Sequence, residues 1–180
     1  LGLAVPMSGP ASLFGRQTAK AVEIAVREVN AAGGLLGVPV ELVVGDDRCD
    51  GRMASSVATR HIKQDKINFI IGPICPDVAM DAAPIYAKAG VIQFVPTVTI
   101  VELTRQNFDT IFRIAATDEQ EAQALGAYFT HEQKSKKLTV VYGDHTYRRA
   151  MAEMVKLALP AEVKALARFE PLLDAPGAID

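Results

Sequence analysis

The feature that most constrains this chain is an alternation: short, β-branched apolar runs recur between longer stretches whose apolar residues fall three and four positions apart. The apolar run at 2–6 is punctuated by Ser8-Gly-Pro10, and Val22, Ala25, Val26 and Val29 then define one buried stripe of a helix over about 16–31, stopped by Gly33-Gly34. Val38 to Val44 reads as a buried strand, followed by the polar loop Asp46-Asp47-Arg48-Cys49-Asp50-Gly51 and a helix over 52–65 with Ala54, Val57, Ala58 and His61 or Ile62 on one side. The pattern repeats: a strand at 68–71 ending at Gly72-Pro73, a helix over 77–89 turning Val78, Ala82, Ile85, Tyr86 and Ala89 inward, a strand at 91–95 closed by Pro96, and a short strand at 111–114. Beyond it come a helix over 119–132 with Asp118 as its cap, a strand at 138–142, a helix over 147–159 and a strand at 163–169. Strands separated by single helices mean right-handed βαβ units, so the expected class is α/β with parallel sheets flanked by helices.

A break after residue 114 divides this series into a first unit over 1–116 and a second over 117–180. The second has too few elements for a lobe of its own, and the closing stretch from Pro171 has no cap or packing logic, so the chain is expected to be part of a longer two-domain protein. Its opening already reads as the inside of a strand, without a basic region or initiator Met, which suggests that residues upstream, with any export signal, have been removed. Alanine occupies 27 positions, small side chains suited to close packing of helix on sheet. The formal net charge of -2, with no basic block, argues against sequence-independent nucleic-acid binding or attraction to an anionic membrane. No apolar run reaches the length needed to cross a bilayer.

Parallel sheets bind ligands beyond the carboxyl ends of their strands, which here are Pro6 to Phe14, Asp46 to Gly51, Gly72 to Asp77, Pro96 to Thr99 and Gly143 to Tyr147. These segments carry hydroxyls, aromatics and backbone-exposing Gly and Pro, which can orient and enclose a small molecule but do not suggest catalysis. No GxGxxG, GxxxxGK[ST] or GxSxG occurs, so neither a nucleotide cofactor nor a nucleophile elbow is expected. His61, His131 and His145 are scattered, and Asp46, Asp47 and Asp50 lack calcium-loop spacing; these acids read as solvated loop charges or sheet-end hydrogen-bonding groups, with no metal site. Cys75 sits at a strand end where a nucleophile could sit, or it pairs with Cys49, which also follows a strand; the residues leave both open. Asp77, after Pro76, either caps the helix it begins or meets a polar ligand group.

Leu3-Ala-Val-Pro-Met-Ser-Gly-Pro10 with Phe14-Gly15, Ala21-Val22 through Asn30-Ala-Ala-Gly-Gly34, Asp46-Asp47, Gly72-Pro73, Gly90-Val-Ile-x-Phe-Val-Pro-Thr-Val-Thr99, and Phe112-Arg113 with Asp118 form an ordered set. Together they resemble the periplasmic leucine/isoleucine/valine-binding protein family, the type I solute-binding proteins of ABC transporters. The resemblance implies the type I periplasmic-binding-protein fold, with two α/β lobes of which the second is incomplete here and the first lacks a segment returning from later in the chain. It implies a Cys49–Cys75 disulfide and an oxidising location, the periplasm or extracytoplasmic surface of a bacterium. It implies capture of a small polar solute, such as an amino acid, amide or small organic acid, for delivery to the membrane permease of an ABC transporter. A monomeric parent, no cofactor, no enzyme activity and no nucleic-acid partner are implied as well. A ligand-sensing subunit of the amide-sensor type is the alternative. Ligand contact is assigned by resemblance to Phe14, Ile74, Cys75, Pro76, Asp77, Thr97, Val98, Thr99 and Tyr147. The family's serine after the second cysteine is Pro76 here, without hydroxyl or N–H, and Asp77 follows where a small residue is usual, so ordinary leucine binding is expected to be weak.

Overall fold

The computed structural model describes residues 1–134, 137–142, 146–160 and 164–169. It separates into two compact units, Leu1–Ala115 and a second that begins at Ala116. In the first, strands β1 (Gly2–Val5), β2 (Val43–Asp46), β3 (Phe69–Ile71), β4 (Ile92–Val95) and β5 (Ile111–Arg113) form one parallel sheet in the order β2-β1-β3-β4-β5. Helices α1 (Ser12–Ala31), α2 (Gly51–Lys63), α3 (Pro76–Lys88) and the short α4 (Glu102–Arg105) connect them.

The two-residue period of β1 distributes its side chains between two cores. Leu3 and Val5 pack with Ala19 and Val22 of α1, while Ala4 faces the opposite side with Ile70, Ala54, Val57, Val78, Ala82 and Tyr86 of β3, α2 and α3. A third cluster joins Ala79 and Ala83 of α3 to Val95, Val98, Leu103 and Ile111. On the α1 side, the register places Phe69 beside Ile92, Ile71 beside Phe94, and Phe94 beside Phe112. Phe94 and Phe112 stack at 5.7 Å. Phe69 and Phe112 remain 47% and 49% exposed, so this half of the sheet face has no helix over it among the described residues.

The second unit contains α5 (Asp118–Ala127), a π-helical turn (Tyr128–Glu132), β6 (Lys137–Tyr142), α6 (Thr146–Ala158) and β7 (Lys164–Phe169), with β6 and β7 paired in parallel. Val163, expected to begin the last strand, His145 and the tail beyond 169 lie outside the described residues. No described helix is long and apolar enough to cross a membrane.

Five local expectations are corrected. Helix α1 starts at Ser12 and not near 16, because Gly9 takes a positive φ of 80° and lets Ser12 N–H reach the Gly9 carbonyl. Strand β2 begins at Val43 and not at Val38. Leu35 and Val38 bridge each other, and the Asn30 amide holds both the N–H and the carbonyl of Val40, which diverts 35–40 from the sheet. The cap of α5 is Thr117 and not Asp118: Thr117 Oγ1 accepts from Gln120 N–H at 3.0 Å, and Gln120 Oε1 accepts from Thr117 N–H at 2.8 Å. Two alanines read as turned inward are exposed: Ala25 of α1, whose buried residues are Gly15, Ala19 and Val22, and Ala89, which follows the end of α3.

Candidate functional site

The strand order reverses between β1 and β3, the position where open parallel sheets leave a crevice beyond their carboxyl ends. The chain leaves β1 through Pro6 and Met7 and must turn at once into α1. Gly15 permits that approach, since a Cβ there would lie 1.9 Å from the Pro6 carbonyl oxygen. Asp46, at the end of β2, holds the turn from the other side. Its Oδ1 accepts from the N–H groups of Met7, Ser8 and Arg48, and its Oδ2 accepts from Ser8 Oγ at 2.6 Å. Burial pushes the Asp46 carboxyl up, but those hydrogen bonds together outweigh it and hold the group below its ordinary value.

In this crevice lies a cleft of about 290 Å³ lined by Ala11, Phe14, Gln17, Thr18, Ile74, Cys75 and Thr97. Larger cavities, of about 540 Å³, open beside Leu1, Pro39 and Phe69 at the amino ends of the strands and along α2; we favour the smaller cleft because strand carboxyl ends converge on it. Cleft residues 14, 17 and 18 share one face of α1. Gln17 and Thr18 were not singled out from the sequence because the helix was expected to start beyond Phe14; their spacing from Phe14 was the available signal.

The second wall comes from the β3–α3 connection. Gly72, at a φ of 96°, packs so close to β1 that a Cβ would lie 2.3 Å from the Ala4 carbonyl, and the Gly72–Pro73 peptide is cis. Thr97 Oγ1 donates to the Ile74 carbonyl at 3.0 Å and ties the ends of β3 and β4 together. Cys75 is buried, is the N-cap of α3 and is disulfide-bonded to Cys49 with the Cα atoms 5.5 Å apart; the nucleophile alternative for Cys75 is therefore set aside. Pro76 occupies the first turn and contributes no N–H; the first helical bond runs from Ala79 N–H to the Cys75 carbonyl at 2.9 Å, so Asp77 and Val78 N–H have no intrahelical partner.

Of the assigned positions in the first unit, Phe14, Ile74, Cys75 and Thr97 line this cleft, and Pro76, Asp77, Val98 and Thr99 adjoin those residues in the chain. Phe14 stands on the first turn of α1, 64% exposed. The Val98 side chain is in the core, so any contact it makes with a ligand is through its backbone. Thr99 is half-buried, and its hydroxyl has no hydrogen bond among the described residues. Asp77 does not cap α3 with its side chain. Its Cβ lies 3.9 Å from where a Cβ on Gly51 would stand, placing it toward the start of α2. Tyr147 belongs to α6 in the second unit, and its side chain lies outside the described residues.

Behind the cleft the sequence concealed a buried polar group. Asp47, expected as a solvated loop charge or sheet-end group, is fully buried, with Oδ1 accepting from Cys49 N–H and Oδ2 unpaired. Burial raises its pKa; the Cys49 hydrogen bond opposes this, and the neighbouring Asp46 charge adds to it. His61 of α2 and Tyr86 of α3 are also fully buried, with Nδ1 and the phenol oxygen 2.9 Å apart. Burial drives His61 down to about 4, and drives the Tyr86 hydroxyl upward with help from the Asp47 charge. Among the described residues, no group of three or more His, Cys, Asp or Glu side chains converges as metal ligands do.

Comparison with known proteins identifies the family and agrees with the fold. The family described as periplasmic binding protein matches residues 1–171, and the chain belongs to that family. An amino acid binding protein of Pseudomonas aeruginosa is 31% identical over 159 residues, covering 88% of this chain and 42% of that protein. The branched-chain amino acid transporter substrate binding protein LivJ of Streptococcus pneumoniae, solved with isoleucine, superposes with a TM-score of 0.80 at 27% identity, over 93% of this chain and 48% of that one. A solute binding protein of an ABC transporter from Rhodopseudomonas palustris, solved with 3,4-dihydroxybenzoic acid, shares the fold at a TM-score of 0.79 and 23% identity, over 95% and 47%. The chain thus spans less than half the length of these relatives.

Proposed function

We propose that this chain carries the first ligand-binding lobe of an extracytoplasmic solute-binding protein, which captures a small polar molecule and delivers it to the membrane permease of an ABC transporter. The observation that carries this reading is the lining of the switch-point cleft. Its side chains are apolar, aromatic, amide and hydroxyl groups plus a disulfide sulfur, with no carboxylate, imidazole or amine to move a proton. Such a lining holds a ligand without transforming it. The volume suits a molecule the size of an amino acid or small aromatic acid, at the lower end of ordinary ligand sites. Relatives that bind amino acids support the ligand class.

Within this reading, the N-terminus of α3 and Thr99 orient polar groups of the ligand, and Phe14 with Ile74 supplies apolar contact. Pro76 removes one donor from that terminus, which favours a solute that asks less of it than the carboxylate of leucine. The exposed face formed by Phe69, Phe94 and Phe112 is where a later segment of the parent chain would pack, since an apolar sheet face of this kind is rarely left bare. Titration calorimetry of the parent against leucine, polar amino acids, short amides and aromatic acids is the test. One ligand bound at one site, recovered unchanged and weakened by Thr99→Ala or Tyr147→Ala, supports the proposal. Turnover of a bound compound, or binding that ignores both substitutions, overturns it.

A further inference from the structure

We infer that the Cys49–Cys75 bridge is a redox gate on the cleft, so that its reduction by a dithiol lowers ligand affinity and a bound ligand makes the bridge harder to reduce at equilibrium. The inference rests on the reading that the cleft holds a solute. Its physical basis is the bridge's asymmetry. Cys75 is buried, lines the cleft and begins α3, whereas Cys49 is exposed on the loop leaving β2. A reductant therefore approaches the bridge from the exposed Cys49 side, while Cys75 forms part of the binding wall.

The bridge also holds backbone that resists its own conformation. Arg48 and Cys49 both take positive φ, 54° and 56°, a left-handed region that side chains with a Cβ disfavour. The opposing restraints are the bridge and the hydrogen bonds from Arg48 N–H to Asp46 and from Cys49 N–H to Asp47. Among the described residues, no hydrogen bond joins 46–50 to 74–77, so the disulfide is the only such link between the β2 loop and the start of α3. Once it opens, only the hydrogen bonds to Asp46 and Asp47 hold residues 48 and 49 in the left-handed region. The 72–77 segment then keeps the side-chain hydrogen bonds from Gln93 Nε2 to the Gly72 carbonyl and from Thr97 Oγ1 to the Ile74 carbonyl.

The exchange is balanced. A thiolate of the dithiol attacks Cys49 Sγ, forming a mixed disulfide and releasing Cys75 as a thiolate beside the first-turn N–H groups of α3. The dithiol's second thiol, on losing its proton, attacks the dithiol's own sulfur in the mixed disulfide and releases Cys49 as a thiolate. The dithiol ends as a cyclic disulfide, its two electrons rest on the two cysteines, and the cysteines take up protons in proportion to pH. Because ligand and closed bridge favour the same cleft geometry, each stabilises the other.

The test uses the oxidised parent with dithiothreitol as reductant and leucine, isoleucine and benzoate as binding probes. For whichever probe binds, we expect at least tenfold weaker binding after reduction, recovery on reoxidation, and, at saturating probe, a reduced-to-oxidised dithiothreitol ratio at least tenfold higher for half-reduction of the bridge. Cys49→Ser should bind as weakly as the reduced protein without reductant. Equal affinity in the oxidised and reduced states, or a half-reduction point indifferent to bound probe, overturns the gate. If the oxidised parent binds none of the probes, hydrogen exchange decides: faster exchange at 72–79 and 95–99 on reduction supports the gate, and unchanged exchange there overturns it.

Discussion

Acidification should weaken the first unit through His61, and the size of the effect follows from its burial. The imidazole is fully buried against Tyr86, where protonation is resisted, so its pKa in the folded protein is about 4 against 6.5 for the free side chain. Between those values the unfolded chain takes up a proton that the folded one does not, so stability falls as pH falls. The contribution is fully present above about pH 6.5 and is lost progressively toward pH 4, reaching about 3 kcal/mol, since each unit of separation is worth about 1.4 kcal/mol. A loss of that size corresponds to a melting temperature lower by on the order of 10 °C in a unit this small. The nearby charges act in opposite senses, Asp65 favouring the imidazolium and Arg60 opposing it. The carboxyls of Asp46, Asp47 and Asp50 also titrate differently in the folded state, so a pH profile of the wild type alone would mix all of them. His61→Gln removes the imidazole and leaves the carboxyls in place. Urea unfolding at half-unit pH steps from 7 to 4 should give a wild-type curve steeper than that of the variant, with the difference confined to this window. Parallel curves would refute the argument, whatever the absolute stabilities.

Two further outcomes follow from the cleft's construction. Pro76→Ser in the parent restores a hydroxyl and an N–H at the start of α3, and leucine affinity measured calorimetrically should rise about tenfold, as one recovered hydrogen bond to a charged group would give; an unchanged affinity would show that Pro76 does not limit leucine binding. Gly15→Ala places a methyl 1.9 Å from the Pro6 carbonyl, so chemical denaturation should show a loss of at least about 2 kcal/mol, and native-like stability would mean that α1 is not held against Pro6 as described.

Most of the architecture was legible because periodicity is local. The apolar run of β1 and the four-residue spacing of Val22 and Val26 on α1 were enough for class and element order without knowledge of distant contacts. Element boundaries were less legible because they depend on a partner. The diversion of 35–40 away from β2 required Asn30 to capture Val40, ten residues away, and the early start of α1 required Gly9 to take a positive φ. The cap at Thr117 was in principle readable, since a threonine three residues before a glutamine is the pattern of a capping box, but Asp118 offered a competing oxygen one position later.

The adjacent acids at 46 and 47 show why the site itself is harder to read than the fold. Asp46 ends β2 and Asp47 follows it, and nothing in their order distinguishes their roles. The strand's alternation nevertheless turns one toward Met7 and Ser8, where four donors meet it, and the other inward, where one N–H meets it and one oxygen has no partner. Asp46 thereby sets the entry of α1 into the cleft, while Asp47 holds the N–H of Cys49, whose sulfur is bonded to the opposite wall. The two carboxylates thus act on both sides of the same opening without lining it, which is why a search for ligand-contacting residue types passes over them. Their effect on binding should be felt through geometry: replacing Asp46 loosens the β1–α1 turn that presents Phe14, and replacing Asp47 frees a left-handed Cys49 that only the disulfide then restrains.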